Sequence, residues 1–416
     1  MLAIDGGKPV CSKPWPDWPV WDEREEKAVL EVIRSGKWWY GNKIREFEEK
    51  FAAFQDAKYG VCCTSGTTAL DICLVSLGIG AGDEVIVPAY SFVATVSAVL
   101  NANAVPVFAE IDLQTGNLDP TEAERLIGER TKAIIPVHVL GLPCDMDRLK
   151  DIGKKYDVRI IEDACHSWGS KWKGKGTGAL GECGAFSFQA SKNITSGEGG
   201  IILTDSRKIA DKARSYANSG RGLDDPWYEH YLLGGNHRLT EFQAALLLAQ
   251  LSRLEEHVTK RQENAHYLNS RLNRIEGVET IKEDPRVTRR SYHGYLFRYI
   301  EEEWDSVSIQ MFLSALRAEG IPCSTCWTQP LYRLPLFRRK GTGPAYCPIS
   351  CPYFGKEVDY TQTCCPNTEK LCKEGVLIPH PVLLAEREDM DMITEAIEKI
   401  RNGLEELSKM ERHSQD

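Results

Sequence analysis

The sequence lacks an excess of positive charge and long apolar runs. It holds 51 Lys and Arg residues against 60 Asp and Glu residues, a formal net charge of −9. This balance argues against nucleic acid or an anionic membrane as the main partner. No apolar run reaches about 18 residues, so no membrane-spanning helix is expected. Met1–Lys8 lacks the charged and apolar segments of a secretion signal. We therefore expect a cytoplasmic protein with small-molecule partners.

The sequence also lacks the regular cysteine pairs of a zinc site, although it contains 14 cysteines. The candidate ligands are Cys323, Cys326, Cys347, Cys351, Cys364 and Cys365. The last four lie in a Pro- and Cys-rich stretch at residues 328–372, which predicts an irregular excursion. We therefore expect free thiols, many of them buried as small apolar side chains, and no bound metal.

From residue 58 to about residue 205, short apolar runs alternate with segments that carry apolar residues at helical spacing. The alternation predicts an α/β fold with a mostly parallel sheet covered on both faces. The predicted strands are Tyr59–Cys63, Glu84–Val87, Val105–Ile111, Lys132–Val139, Val158–Ile161, Ala185–Phe188 and Gly200–Leu203. The predicted helices are Thr67–Leu77, Phe92–Ala102, Thr121–Ile127 and Met146–Lys155. Ligands in such sheets bind at the carboxyl ends of the strands.

The rest of the chain predicts a smaller α+β domain behind a long connecting helix. The predicted elements are a helix from Thr240 to about Arg274, a strand at Tyr292–Tyr299, and helices at Ser308–Glu319 and Met390–Leu407. A chain of 416 residues accommodates two domains. We predict a large domain with an N-terminal arm at residues 1–255 and a small C-terminal domain at residues 256–416.

A turn of small residues at Cys62–Leu70 (CCTSGTTAL) joins a predicted strand to a predicted helix. The N–H groups at a helix N-terminus bind anions, Gly66 permits close backbone approach, and Thr67 adds a hydroxyl. The turn has neither the Gly-Lys-Ser/Thr of a Walker loop nor a Gly-x-Gly-x-x-Gly fingerprint. An ordinary capped helix with Ser65 or Thr67 as N-cap fits equally well, so both interpretations stay open.

Two carboxylates end the apolar strand in Ile160–Ser167 (IIEDACHS). A buried Asp at the end of a central strand needs a cationic or hydrogen-bonding partner. A protonated pyridine nitrogen is such a partner for Asp163, and the ring then acts as an electron sink. His166 is placed to contact a phenolic oxygen of the same ring. A solvated strand end with a helix cap is the alternative.

A single lysine stands among small, polar and glycine residues in Phe186–Gly200 (FSFQASKNITSGEGG). Partial burial lowers the pKa of a lysine, and its neutral amine then forms an imine. A lone Lys192 is more often a surface charge, but its neighbours favour a pocket. An anion cradle, a ring-nitrogen carboxylate and an imine-forming lysine are together the contacts that pyridoxal 5'-phosphate (PLP) requires, and all three follow predicted strands.

The motif Ser-Phe-x₃-Lys-x₄-Gly-Glu-Gly-Gly at Ser187–Gly200 resembles the sugar aminotransferases of the DegT/DnrJ/EryC1/StrS family. The resemblance covers nearly the whole chain. Its other motifs are Thr64–Thr67 (TSGT), Asp83–Pro88 (DEVIVP), Pro136–Gly141 (PVHVLG), Glu162–Ala164 (EDA) and Gly235–Gln243 (GNHRLTEFQ). The resemblance implies the aspartate-aminotransferase-like fold, PLP-dependent fold type I, in a homodimer with two shared active sites.

The resemblance also implies the roles of individual residues. Lys192 matches the lysine that forms a Schiff base with PLP and acts as base and acid. Asp163 matches the partner of the ring nitrogen. His166, the third expected catalytic residue, stands where many family members have Gln, and Trp168 replaces a common His.

The cofactor-binding residues that follow from the resemblance are Ser65, Gly66, Thr67, Phe92, Asp163, His166, Ser187, Gln189, Lys192 and Asn236. Gly66 and Thr67 match the phosphate-binding turn, and Ser187 matches a phosphate-binding hydroxyl. Phe92 falls where an aromatic ring stacks on the cofactor. Asn236 matches a residue that reaches the phosphate bound in the neighbouring subunit.

The expected function is ping-pong amino transfer from L-glutamine or L-glutamate to a keto-cyclitol or keto-sugar, as in aminocyclitol or antibiotic biosynthesis. Four segments resemble those of glutamine:scyllo-inosose aminotransferases and 3-amino-5-hydroxybenzoate synthases: Pro14–Pro19, Phe188–Gln189, Tyr292–Tyr295 and Ile378–Leu384. A nucleotide-linked keto-sugar as acceptor and an aromatising synthase activity stay open. A non-catalytic PLP-binding regulator is the alternative from another class.

Overall fold

The computed structural model describes residues 1–39, 41–222, 225–226, 228–338, 353–355 and 358–415. Its strands in chain order are β1 (Tyr59–Cys63), β2 (Glu84–Pro88), β3 (Val105–Ala109), β4 (Thr131–Ile134), β5 (Arg159–Asp163), β6 (Lys171–Trp172), β7 (Lys175–Gly176), β8 (Cys183–Ser187), β9 (Gly200–Thr204), β10 (Val278–Thr280), β11 (Val287–Arg289), β12 (Tyr295–Tyr299), β13 (Ser324–Thr325) and β14 (Gly375–Ile378).

The helices in the same residues are α1 (Glu23–Ser35), α2 (Asn42–Phe54), α3 (Gly66–Ser76), α4 (Val93–Asn101), α5 (Pro120–Arg125), α6 (Met146–Tyr156), α7 (Arg207–Ala217), α8 (Glu241–Leu272), α9 (Ile309–Ala318), α10 (Pro335–Arg338), α11 (Pro366–Glu374), α12 (Arg387–Asn402) and α13 (Leu404–Gln415). In the described ranges, no helix combines the length and apolar character that crossing a membrane requires.

Seven strands form the large sheet, in the order β1-β9-β8-β5-β4-β2-β3. Strands β3, β2, β4, β5 and β8 pair in parallel, while β9 runs antiparallel to both β8 and β1. All five residues of β2, β8 and β9 are buried, as expected for a sheet covered on both faces. The mostly parallel α/β sheet predicted from the sequence is therefore confirmed.

The strand order brings distant chain segments to one edge of the large sheet. Because β1 and β8 are both antiparallel to β9, they point the same way and end at the same edge. The turn at Ser65 follows β1, Asp163 ends β5, and Ser187 ends β8. The site suggested by the sequence therefore lies where parallel sheets bind ligands.

A second sheet, β10-β12-β14-β13, packs against the C-terminal half of α8 and against α9 and α12. The predicted long helix is confirmed as α8, whose start is capped by the Thr240 side chain. Leu247 and Leu254 of α8 belong to the core beneath the large sheet, whereas Leu268 and Leu272 belong to the core of the second sheet. The predicted domain boundary at residue 255 lies within this helix and stays a prediction.

Two predicted C-terminal elements differ from the structure. The single helix expected at 390–407 is instead α12 and α13, separated at Gly403, where a Cβ would lie 2.9 Å from the Leu2 side chain. Part of the stretch expected to be irregular, residues 366–374, is helix α11, which begins with Pro366, a favoured first residue of a helix. Cys347 and Cys351 lie outside the described residues.

Candidate active site

A cavity of about 580 Å³ opens at the carboxyl edge of the large sheet. Nine of the ten predicted cofactor residues line it: Ser65, Gly66, Thr67, Phe92, Asp163, His166, Ser187, Gln189 and Lys192. The tenth, Asn236, is exposed and lies outside the residues that line this cavity. The second sheet and its loops contribute His293, Cys326, Trp327 and Leu377 to the cavity lining.

The turn after β1 caps helix α3 and faces the cavity as well. The Ser65 hydroxyl accepts a hydrogen bond from the backbone N–H of Thr68 at 3.1 Å. Gly66 packs so closely that a Cβ there would lie 2.7 Å from the Ser187 Cβ and 2.8 Å from the Cys165 Sγ. The cap therefore leaves an anion site possible in principle, because the capping side chain satisfies only one N–H at a helix end that lines the cavity.

Asp163 presents a buried carboxylate to the cavity. Its Oδ2 accepts a hydrogen bond from the Thr95 hydroxyl at 2.7 Å, and its Oδ1 accepts one from the backbone N–H of Cys165 at 3.2 Å. Because Thr95 has one hydroxyl proton, the Ser91 hydroxyl must be the donor in its 2.7 Å contact with Thr95. These contacts orient the carboxylate. Neither Thr95 nor Ser91 was predicted from the sequence to be part of the site.

Glu162, the neighbouring carboxylate, has a different role. It is fully buried and accepts hydrogen bonds from the backbone N–H groups of Gly178, Leu180 and Gly181, each at 2.7 Å. The His138 Nε2 lies 2.9 Å from its Oε2. With these partners Glu162 fastens the loop between β7 and β8 and does not line the cavity.

Lys192 is partly buried, and burial lowers the pKa of its amine, while Cys165 and Asp163 act in the opposite direction. Its Nζ lies 6.0 Å from the centre of the Trp168 ring. The loop around it is held by Gln189, whose side-chain oxygen accepts from the backbone N–H and the hydroxyl of Ser191. Lys192 therefore carries an amine that loses its proton more readily than a surface lysine.

The aromatic rings of His166, His293 and Trp327 form part of the cavity lining. Burial, with a smaller contribution from the charge of Lys192, places the pKa of His166 well below its usual range. The His166 ring is nearly parallel to the Trp327 ring, with centres 6.0 Å apart, and lies 4.5 Å from the His293 ring. Trp327 and His293 were not predicted from the sequence to lie at the site, although the segment Tyr292–Tyr295 was noted for its resemblance to known enzymes.

The donor set fits PLP. A carboxylate held by two donors suits a protonated ring nitrogen, and a close-packed glycine turn at a helix N-terminus suits a phosphate. A partly buried amine with a lowered pKa suits the formation of an imine with an aldehyde. All three groups line one cavity, as the sequence predicted.

Comparison with known proteins gives one consistent result. A protein of Micromonospora echinospora assigned as L-glutamine:3-amino-2,3-dideoxy-scyllo-inosose aminotransferase is 37% identical, over 98% of this chain and 99% of its own. The L-glutamine:scyllo-inosose aminotransferase of Streptomyces griseus is 35% identical, over 98% and 99% of the two chains. The crystal structure of 3-amino-5-hydroxybenzoic acid synthase has a TM-score of 0.82 and 33% identity, covering 93% of this chain and 98% of that one.

Residues 19–351 match the DegT/DnrJ/EryC1/StrS aminotransferase family by its sequence pattern. The match includes the turn after β1, the two carboxylates of β5 and the loop that carries Lys192. The chain therefore belongs to the DegT/DnrJ/EryC1/StrS aminotransferase family and is a PLP-dependent aminotransferase of fold type I.

Proposed function

We propose that the protein transfers the amino group of L-glutamine or L-glutamate to a keto-cyclitol or keto-sugar by a ping-pong reaction. The observation that carries this proposal is the convergence of Lys192, Asp163 and the Gly66–Thr67 turn on one cavity. The named activities of relatives that match almost the full chain support the donor and the kind of acceptor.

Each predicted cofactor residue has a proposed contact. The phosphate would lie at the N-terminus of α3, near Gly66, Thr67 and the Ser187 hydroxyl, and Asn236 would approach it from the neighbouring subunit. Asp163 would keep the ring nitrogen protonated, and Phe92 would stack on the ring. We propose that His166 contacts the phenolic oxygen of the ring and that Ser65 lies on the phosphate side of the cofactor. Gln189 is proposed to lie in the loop beside the Lys192 amine.

Lys192 is the proposed proton carrier. PLP, when bound, supplies an electron-withdrawing ring that stabilises negative charge on the carbon that loses its proton. The amine of Lys192 would take that proton from the donor α-carbon as a base and give it up again as an acid, and it would act in the reverse order on the acceptor. The lowered pKa of Lys192 favours this role, since a base must be unprotonated when it acts.

The charge of the cavity favours an uncharged cyclic acceptor. Among the described residues that line it, Lys192 is the only Lys or Arg, and His166 and His293 have a pKa well below the usual range. A nucleotide-linked sugar carries a pyrophosphate, which cationic side chains or a helix N-terminus bind, and the helix N-terminus in this cavity is the one proposed for the cofactor phosphate. We therefore propose a keto-cyclitol, with a nucleotide-linked keto-sugar as the alternative.

Aromatising synthase activity is a second candidate function. The observation that favours it is the likeness to 3-amino-5-hydroxybenzoic acid synthase at 33% identity and a TM-score of 0.82. The apolar wall formed by Leu140, Leu377 and Trp327 would accommodate a flat ring as product. The ring of the product, read by mass and ultraviolet absorbance, separates the two activities.

We also propose a homodimer with shared active sites, in a cytoplasmic protein. Large apolar side chains that are exposed in the described chain include Phe92, which lines the cavity, and Trp38, Trp39, Tyr231 and Leu233. A partner subunit would cover them. Residues 1–255 form the proposed large domain and residues 256–416 the small one. The cysteines of the described residues are free thiols, typical of a reducing compartment.

A donor and acceptor panel tests the proposal. The purified protein is reconstituted with PLP, and the visible absorbance of the lysine-bound cofactor is followed on addition of each amino acid. We expect L-glutamine or L-glutamate to bleach the band and scyllo-inosose to restore it, with an aminocyclitol found by mass spectrometry. No bleaching with any amino acid would favour a PLP-binding regulator, and restoration by nucleotide-linked ketones alone would refute the cyclitol acceptor.

A further inference from the structure

The side-chain amide of Asn193, next to Lys192 in the chain, has a fixed orientation. Its Nδ2 donates to the backbone oxygens of Ser291 and Tyr292 at 3.1 and 3.2 Å. Carbonyl oxygens only accept hydrogen bonds, so the NH₂ group must face them. The amide oxygen is then the atom that lies 2.9 Å from the Nδ1 of His293.

This orientation determines which nitrogen of His293 carries the proton. An amide oxygen can only accept, so Nδ1 must be the donor in this contact. Burial, together with Lys192, His166 and His380, places the pKa of His293 well below its usual range, so the ring is neutral. The proton therefore stays on Nδ1, and Nε2 carries a lone pair that only a donor can satisfy.

The backbone and the neighbouring rings hold His293 in place. Tyr292, the residue before it, has a positive φ of 50°, an uncommon conformation for a bulky side chain. The Tyr292 hydroxyl donates to Glu283, and its ring lies 4.2 Å from the Arg290 guanidinium. The His293 ring contacts the rings of His166, Trp168 and His380, with centres 4.5, 5.5 and 5.4 Å away.

The chemistry of the cavity limits what can bind this nitrogen. His293 lines the cavity together with Lys192 and Trp327. The ketone oxygen of an acceptor, a phosphate and a carboxylate are acceptors only and cannot pair with an unprotonated Nε2. A hydroxyl can donate to it, and a keto-cyclitol carries hydroxyls on the carbons beside its ketone. Trp327 supplies a flat wall for the ring that bears them.

We propose that His293 is a specificity-determining residue whose Nε2 accepts a hydrogen bond from an acceptor hydroxyl beside the ketone. The assignment rests on the proposed function. Asn193 is the positioning residue that fixes the tautomer. A site with such an acceptor discriminates against ketones that lack the hydroxyl, because such a ketone, once bound, shields Nε2 from water and leaves it without a partner.

The test compares the holoenzyme with His293→Leu and His293→Gln. The amino form of each protein is prepared with glutamine and mixed with scyllo-inosose or with its analogue that lacks the hydroxyls on both carbons beside the ketone. We expect the wild-type protein to prefer scyllo-inosose by about 10-fold or more in kcat/KM. In His293→Leu the preference disappears, and His293→Gln restores part of it because the Gln side chain carries an acceptor.

Two controls separate a specificity role from a structural one. The absorbance of the lysine-bound cofactor and its bleaching by glutamine and by glutamate should be the same in His293→Leu as in the wild-type protein. His266→Leu is the matched control. His266 is half-exposed and lies outside the cavity, and its partner Glu283 retains its hydrogen bonds from Arg290 and Tyr292 in this variant. We expect it to retain the preference.

The opposing results are distinct. An unchanged preference in His293→Leu would overturn the assignment while leaving the proposed function standing. Loss of the cofactor band would make His293 a cofactor contact, and slower bleaching by glutamine but not glutamate would make it a donor contact; either result overturns the inference. If the wild-type protein bleaches but aminates neither ketone, the proposed acceptor class fails, and the assignment of His293 fails with it.

Discussion

Gly66→Ala tests the phosphate site with the smallest change that the chain offers. The added Cβ would lie 2.7 Å from the Ser187 Cβ and 2.8 Å from the Cys165 Sγ, whereas ordinary contacts begin at 3.4 Å. The Cys165 side chain can rotate, but the Ser187 Cβ is fixed by the backbone of β8. The turn must therefore move away by about 0.7 Å, which displaces the N–H groups proposed to hold the phosphate.

The expected loss of PLP affinity follows from that displacement. Overpacking of a tight site costs about 1–3 kcal/mol. If the turn moves to relieve it, the loss of phosphate contacts should weaken the binding free energy of PLP by a similar amount. This corresponds to a dissociation constant raised about 5- to 150-fold. The measurement is an absorbance titration of the apoprotein with PLP, and a parallel titration with pyridoxal, which lacks the phosphate, should show a smaller loss.

Gly80→Ala is the matched control for this substitution. A Cβ at Gly80 would have its nearest contact at 3.5 Å, an ordinary distance, and the residue lies outside the cavity. We expect its PLP affinity to match that of the wild-type protein. If Gly66→Ala bound PLP as tightly as Gly80→Ala, or lost pyridoxal and PLP affinity equally, the phosphate would not lie at this turn.

The remaining predictions concern Lys192 and Glu162. Lys192→Ala should lower turnover by several orders of magnitude and remove the cofactor band in the visible spectrum. Turnover at the wild-type level in this variant would refute the assignment of Lys192 as the base. Burial lowers the pKa of Lys192, so the unfolded chain binds its proton more tightly, and this opposes folding at any pH below about 10.5. Lys192→Met should therefore raise the thermal midpoint of the apoprotein at pH 7, with a gain that fades towards pH 10.5. Glu162→Gln replaces one acceptor oxygen by a donor and should cost about 1–3 kcal/mol in urea unfolding, while the folded fraction still binds PLP.

The elements of the large sheet could be predicted because each strand is a short buried run between turns. Strand β5 shows the limit of this reasoning, because the predicted strand ends at Ile161 and the observed one continues to Asp163. The two acidic residues look like a solvated end, but their partners lie elsewhere in the chain. Helix α1 was not predicted at all, although Asp22 and Glu25 form a capping box at its start.

The part of the cavity lining that comes from the second sheet and its loops could not be placed from sequence. His293 and Trp327 lie about 100 residues or more beyond Lys192 in the chain, and they reach the cavity because the second sheet, through Leu296, shares a core with Tyr90 and Val137 at the carboxyl edge of the first. Local periodicity predicts an element and its buried face but not which distant element covers it. Asn193 could have been noted, since it is adjacent to Lys192, but its partners are known only from the fold.

The adjacent carboxylates of β5 show how strand register separates structure from chemistry. Successive side chains of a strand point to opposite faces, so Glu162 reaches the loop at residues 178–181 while Asp163 faces the cavity. The register with β8 pairs Glu162 with Gly184, where a Cβ would lie 2.3 Å from the Gly178 Cα. The glycine therefore lets the loop come close enough for Glu162 to bind it. A shift of one residue would exchange the two carboxylates, so the tight packing at Gly184 also keeps Asp163 at the site.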